Sequence, residues 1–158
     1  MSGNGRVEGK VALITGGASG LGRATAALMA AHGARVMVTD LNEPGGQETV
    51  AAIAAQSGTK PGDIAAFRQH DVTEEQAWQD TVAATKAAFG GLDILVNSAG
   101  VGVMKDVEAT TLEEWRWVHA VNTEGVFLGC KHGIGAMKED GGGGPGGSIV
   151  NLSSVSGL

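Results

Sequence analysis

The segment Thr15 to Gly22 reads TGGASGLG and joins an apolar run to a helical pattern. Small residues there let the backbone approach a ligand, and the free N–H groups opening the next helix meet negative charge, so the chemistry on offer is pyrophosphate binding through main-chain donors. A tight strand-to-helix turn would use the same glycines. Asp40 closes the next apolar run, 18 positions after Gly22. That interval suits a carboxylate meeting an adenosine ribose; a helix cap or turn is the other role open to it. Asp71 and Val72 end a third run, where the aspartate can also cap the helix that follows in VTEEQ. Further on come Asn97 to Gly100 in NSAG, Asn122 in VHAVNTEG, and the hydroxyls of Ser153, Ser154 and Ser156 in SIVNLSSVSGL. Such hydroxyls orient a substrate oxygen or close a turn on their own backbone. His32, His70, His119 and His132 have no carboxylate partner at an evident spacing and no metal-ligand spacing, so they read as surface or packing histidines and no metal site is predicted.

These residues recur at the ends of one kind of element. KVALITGG, ARVMVTD, IAAFRQHDV, LDILVNSAG and GSIVNLSS are short, β-rich, unalternating apolar runs. Helical patterns over Leu21–His32, Pro44–Ser57, Glu74–Phe89 and Leu112–Lys138 separate them. Apolar strands linked by helices predict an α/β fold, a doubly wound parallel sheet of Rossmann-like type covered on both faces. Ligands then bind outside the carboxyl ends of the strands, where the residues above lie. The last run reads as a buried strand over Ser148–Leu152, and GGGGPGG at Gly141–Gly147 reads as a flexible loop before it.

Composition narrows the classes of partner. With 158 residues and 42% hydrophobic content, one domain over residues 1–158 is predicted. A net charge of −6 without a basic patch argues against nucleic acid and against an anionic membrane surface. A single cysteine, Cys130, cannot form an internal disulfide and reads as a buried, inert thiol. With no cleavable signal or long apolar span in view, the expected location is the cytoplasm.

The glycine spacing is G-x-x-x-G-x-G, carried by Gly16, Gly20 and Gly22, and not G-x-G-x-x-G. After a threonine, that spacing resembles the first turn of the short-chain dehydrogenase/reductase family. NSAG resembles the family's segment after its fourth strand, HDV its adenine-side turn, and SIVNLSSVSG its fifth strand with the catalytic serine. Asn122 lies where the family places an asparagine in its long helix. The resemblance spans essentially the whole chain.

It implies a strand order of 3-2-1-4-5 and hydride exchange between a nicotinamide cofactor and a secondary alcohol or ketone. Gly16, Ser19, Gly20, Leu21 and Gly22 would form the phosphate turn, Asp40 and Leu41 the ribose site, and Asp71 and Val72 the adenine wall. Asn97, Ala99 and Gly100 would floor the nicotinamide ribose, with bracing of the central strands as the other role for Asn97. Members preferring NADP carry a basic residue at the places of Ser19 or Leu41, and a carboxylate at Asp40 repels a 2′-phosphate, so NAD is the implied cofactor. Ser154, rather than Ser153, matches the serine that orients the substrate oxygen, and Asn122 the water relay. The family's tyrosine and lysine have no counterpart, since the sequence contains no tyrosine.

The expectation is therefore a longer protein whose tyrosine helix, last two strands and substrate lid follow Leu158, the present residues alone being inactive. A non-catalytic NAD-binding module, or a fragment completed by another chain, is the reading from other classes. Val101, Val103 and Met104 would wall a pocket for a hydrophobic or cyclic alcohol or ketone, with a 3-oxoacyl thioester as the other substrate class. The fifth strand would form an open edge. The helix Leu112–Lys138, with a stripe of Trp115, Val118, Val121 and Val126, is expected to lie in a homo-oligomer interface, and Trp115 and Trp117 to serve packing or subunit contact.

Overall fold

A computed structural model describes residues 5–139 and 146–154. Its elements are β1 (Val11–Thr15), α1 (Gly20–Ala31), β2 (Arg35–Asp40), α2 (Glu43–Ser57), β3 (Ala65–Gln69), α3 (Glu75–Phe89), β4 (Ile94–Asn97), α4 (Leu112–His119), α5 (Gly125–Glu139) and β5 (Ser148–Asn151). The five strands form one parallel sheet in the order β3-β2-β1-β4-β5. This is the doubly wound, Rossmann-like arrangement that alternating strands and helices dictate. Residues 141–145 of the glycine-rich loop, and Ser156, lie outside the described residues.

The central strand explains why the apolar runs do not alternate. Every residue of β1 is buried, because its two faces serve two different cores. Ala12 and Ile14 join Val36, Val38, Val50 and Ile53 on the side of α1 and α2. Val11 and Leu13 join Met37, Leu95, Trp78 and Phe89 on the opposite side, against α3 and α5. At the amino ends of the strands Asp93 ties the sheet together: its carboxylate accepts from the Val11 amide at 2.8 Å and from Lys10 Nζ at 3.3 Å.

Helix α5 approaches the sheet through a row of glycines at i, i+4 and i+8. A Cβ at Gly125 would stand 2.9 Å from Val72 Cγ2, one at Gly129 would stand 2.8 Å from Trp78 Cη2, and one at Gly133 would stand 2.8 Å from Leu95 Cδ2. None of those distances is tolerated by carbon atoms, so the absent side chains set the helix-to-sheet spacing. The packing of α5 on α3 also gives His132 a carboxylate that its sequence neighbourhood did not reveal. Its Nε2 lies 3.1 Å from Glu75 Oε1, which Lys131 Nζ also reaches at 2.6 Å.

Three expectations are corrected. The single helix over Leu112–Lys138 is two helices joined by a π turn at Ala120–Glu124. Strand β5, read as buried from its apolar run, is exposed at Ser148, Val150 and Asn151, because it is a sheet edge bonded only to β4 among the described residues. Cys130 is half-buried, with its Sγ 3.9 Å from the amide nitrogens of Asn97 and Asn151.

Candidate active site

At the carboxyl ends of the strands lies a cleft of about 1060 Å³. Twelve of the fourteen positions read from the sequence as cofactor-binding or catalytic are the nucleotide positions, and of the fourteen only Asn97 does not line this cleft. The others converge there from six separate segments of chain, as the rule for doubly wound sheets requires.

The glycine turn between β1 and α1 is built by contacts that leave no room for side chains. Gly16 has φ +67°, and a Cβ on it would stand 2.9 Å from the Ala99 backbone; a Cβ on Gly22 would fall inside contact of the Gly16 carbonyl oxygen. The turn therefore closes on itself and on the strand next door. Gly17 N–H donates to the Thr39 carbonyl at 2.9 Å, completing the link to β2. Helix α1 opens without a side-chain cap: Ser19 makes no capping bond, and its first turn contains no acid. Its leading N–H groups face the cleft with no internal carboxylate to answer them, and the space over Gly20 is open. That combination fits the pyrophosphate of a dinucleotide.

Asp40 does structural work and still faces the cleft. Its Oδ2 accepts from the Ala18 amide at 3.0 Å and its Oδ1 from the Asn42 amide at 2.9 Å, so it pins the glycine turn to the start of α2. A carboxylate has about four lone-pair sites, so capacity for two further donors remains. Leu41 beside it is 61% exposed, and Arg23 is turned away onto the Ala18 and Gly45 carbonyls and Glu48. Asp71 combines its two expected roles: Oδ1 accepts from Thr73 N–H at 2.9 Å and from Thr73 Oγ1 at 2.7 Å, holding the turn into α3. Val72 stands next to it in the cleft wall.

Asn97 takes the bracing role. It is 3% exposed, and its Nδ2 donates 2.8 Å to Asn151 Oδ1, joining β4 to β5 beneath the cleft floor. Ala99 and Gly100 remain at the floor. Their position depends on Thr15, whose Oγ1 accepts from both the Ser98 and Ala99 amides at 3.0 Å. A threonine ending a strand before the glycines was the sequence signal for this staple, although nothing local showed what it would hold.

Asn122 sits in the π turn, and its side chain is spent on the chain opposite: Oδ1 accepts from Val101 N–H at 2.9 Å, and Nδ2 donates to the Val101 carbonyl at 2.8 Å. The amide thereby fixes the loop after Gly100 over the cleft. Helix α4 begins there with a full capping box between Thr111 and Glu114, and Lys105 pairs with Glu114 across the same loop. Ser153 and Ser154 enter from the end of β5, and Trp117, Val118 and Val121 from α4 and the π turn. Trp117 is thus a cleft residue, which its reading as a packing or subunit-contact residue missed; a helical face shared with Val121 was the available clue.

His70 also lines the cleft, buried to 3% exposure. Its Nδ1 is 3.3 Å from Thr39 Oγ1, its ring meets Trp78 edge-on at 4.5 Å, and its Nε2 has no partner among the described residues. Burial pushes its pKa down to about 4, against a smaller upward pull from Asp71 and a downward one from Arg68. The unfolded chain then takes up this proton first, near pH 6.5, while the folded chain resists it until about pH 4. Stability should be full above about pH 6.5 and fall as the pH drops towards 4, by up to about 3 kcal/mol from this group. Denaturant titrations across that window should show a steeper loss in the unaltered protein than in His70→Asn. Parallel losses in the two would show that His70 is not the group responsible.

The short chain dehydrogenase family model matches residues 10–158. A 3-beta-hydroxysteroid dehydrogenase of Comamonas testosteroni is 42% identical over 96% of this chain and 54% of its own length. An NADP-dependent (R)-specific alcohol dehydrogenase of Lentilactobacillus kefiri is 41% identical over 97% of this chain and 57% of its own. A crystal structure of a short-chain type dehydrogenase/reductase from Mycobacterium marinum superposes with a TM-score of 0.87 at 32% identity, covering 96% of this chain and 58% of that one. This chain therefore spans little more than half the length of the relatives it matches. With the sheet order, the glycine turn and the family match agreeing from Lys10 onward, the chain belongs to the short-chain dehydrogenase family.

Proposed function

We propose that the protein containing this chain interconverts a secondary alcohol and a ketone with NAD as hydride carrier. The observation that carries the reading is the convergence of the uncapped α1 terminus, Asp40, Asn122 and Ser154 on one cleft. Gly16, Ser19, Gly20, Leu21 and Gly22 would hold the pyrophosphate, Asp40 and Leu41 the adenosine ribose, Asp71 and Val72 the adenine, and Ala99 and Gly100 the nicotinamide ribose. When bound, the nicotinamide supplies hydride exchange, and the protein supplies position and proton control. Ser154 orients the substrate oxygen by hydrogen bonding, and Asn122 holds the loop over it and leaves its own main chain, loosened by the π turn, for a water relay. Among the described residues, the titratable side chains lining the cleft are Asp40, His70 and Asp71, and all three sit among the residues assigned to the adenosine end. We expect these 158 residues by themselves to show no turnover, since none of those three groups is assigned to the substrate oxygen; activity of the purified 158-residue chain would refute that.

The other end of the cleft favours an uncharged, apolar substrate. Val101, Val103, Met104, Trp117, Val118 and Leu152 line it, and no cation does among the described residues, which disfavours an anionic carrier-bound thioester. A cyclic alcohol is supported by relatives named for one: besides the hydroxysteroid enzyme, a trans-4-hydroxycyclohexanecarboxylate dehydrogenase of Sinomonas cyclohexanicum is 43% identical over 97% of this chain, although the substrate it is named for carries a carboxylate, so it supports the ring and not the absence of charge. Of the stripe expected at a subunit interface, Val118, Val121 and Val126 line the cleft instead and only Trp115 is turned out. With Leu112, Phe127 and Ile134 it makes the exposed apolar set of α4 and α5, and we read that set as the contact with a second copy; a monomeric mass in sedimentation of the intact protein would reject this.

NAD rather than NADP rests on Asp40 and on Ser19 and Leu41 standing where a cation would be needed. Kinetics of the intact protein with both cofactors test it: NAD should give the higher kcat/KM, and Asp40→Ala with Leu41→Arg should move the preference towards NADP by roughly tenfold to a hundredfold. A relative named as NADP-dependent means that family membership alone does not favour NAD, and equal use of NADP by the unaltered protein would overturn the assignment.

A further inference from the structure

Trp78 is the one fully buried aromatic side chain among the described residues and has no place in the site as so far assigned. It reaches three parts of that site at once. Its indole Nε1–H donates 2.9 Å to the carbonyl of Val72, the cleft-wall residue beside Asp71. Its ring edge stands where a Cβ on Gly129 would be, so it sets the seat of α5, the helix that continues from the π turn bearing Asn122. It also meets His70, whose Nδ1 contacts Thr39 next to Asp40. The start of α5 presses on the same wall from the other side, since Gly125 packs directly on Val72.

We propose that Trp78 is a positioning residue that holds the Asp71–Val72 wall in its ligand-bound form before the coenzyme arrives and keeps it in register with the helix leading from Asn122. The inference rests on the reading above that adenosine lies along Asp71 and Val72. The physical reason is that a main-chain carbonyl bonded to a side chain locked in the core cannot swing. A wall fixed in advance draws no ordering cost from binding, whereas a wall released from its donor does. A phenylalanine at position 78 keeps most of the packing and removes the donor.

In the intact protein, Trp78→Phe should weaken binding of NADH and of AMP alike, roughly fivefold to tenfold, the effect of one lost hydrogen bond. The loss should fall on KM for the coenzyme and not on kcat. A purely structural role would lower the melting temperature and leave AMP affinity where it was, and that result in a folded variant overturns the inference. Loss of NADH affinity not shared by AMP overturns it as well. Should Trp78→Phe fail to fold, the unaltered protein with 15N-labelled tryptophan gives the second measurement: the buried indole N–H should already be protected from exchange without ligand, and an indole that exchanges freely and becomes protected only when AMP is added rejects the proposal. If the unaltered protein binds neither NADH nor AMP, the coenzyme reading itself fails; if it binds both and Trp78 is indifferent, only this inference does.

Discussion

Replacing Gly22 by alanine is expected to abolish useful coenzyme binding, by about a hundredfold or more in affinity. The added methyl would lie inside contact of the Gly16 carbonyl oxygen, which cannot retreat: Gly16 has φ +67° and is itself backed against the Ala99 main chain, which Thr15 holds through two hydrogen bonds. Backbone meeting backbone has no rotamer through which to escape. The turn must open or α1 must shift, at about 3 kcal/mol if the site behaves like other overpacked positions. Calorimetric titration of NADH into Gly22→Ala, with circular dichroism to show that the sheet survives, measures the effect. Near-normal affinity would mean that the turn is softer than its packing indicates, and the phosphate site would need to be placed elsewhere.

Ser154→Ala should lower kcat by roughly a hundredfold to ten-thousandfold and leave NADH affinity within about twofold, because an orienting donor at the substrate oxygen acts mainly in the transition state. Ser153→Ala is the necessary comparison. Both serines line the cleft, following one another two residues beyond β5, so the two variants decide which hydroxyl meets the substrate. If Ser153→Ala carries the larger loss, the assignment moves by one residue. If neither variant loses more than a few-fold, the serines close a turn, and the alcohol oxygen is held by other groups.

The positions of the strands and the gathering of Gly16, Asp40, Asp71 and Ser154 at one end of a parallel sheet were legible in residue order, while the strand order and the place of Asn122 came from the resemblance to the short-chain dehydrogenase/reductase family. An apolar run bounded by glycine, followed by a helical pattern, has few ways to fold, and repetition of that unit compels a parallel sheet with its ligands at the carboxyl ends. The role of Asp71 was only half legible, because the same carboxylate caps a turn and faces the cleft, and both uses share one local spacing.

Other features depended on which distant segments meet, and no window of sequence contains them. Asn97 braces β5 because Asn151, 54 residues later, arrives beside it; Glu75 pairs with His132 because two helices 57 positions apart pack together. The π turn within the long helix had no local signal either, and the amide of Asn122 inside it finds both bonding partners on Val101 across the cleft. The apolar run of β5 announced a strand and the resemblance gave it an edge position, which the sheet order among the described residues bears out; its burial was misread because burial is a property of neighbours. Local order thus set which elements form and which residues could do chemistry, through steric and periodic preferences acting over a few residues. Tertiary contact decided which of those residues face the cleft and which hold the others still, because a side chain's hydrogen bonds and its exclusion from water are determined by groups that the chain brings from far away.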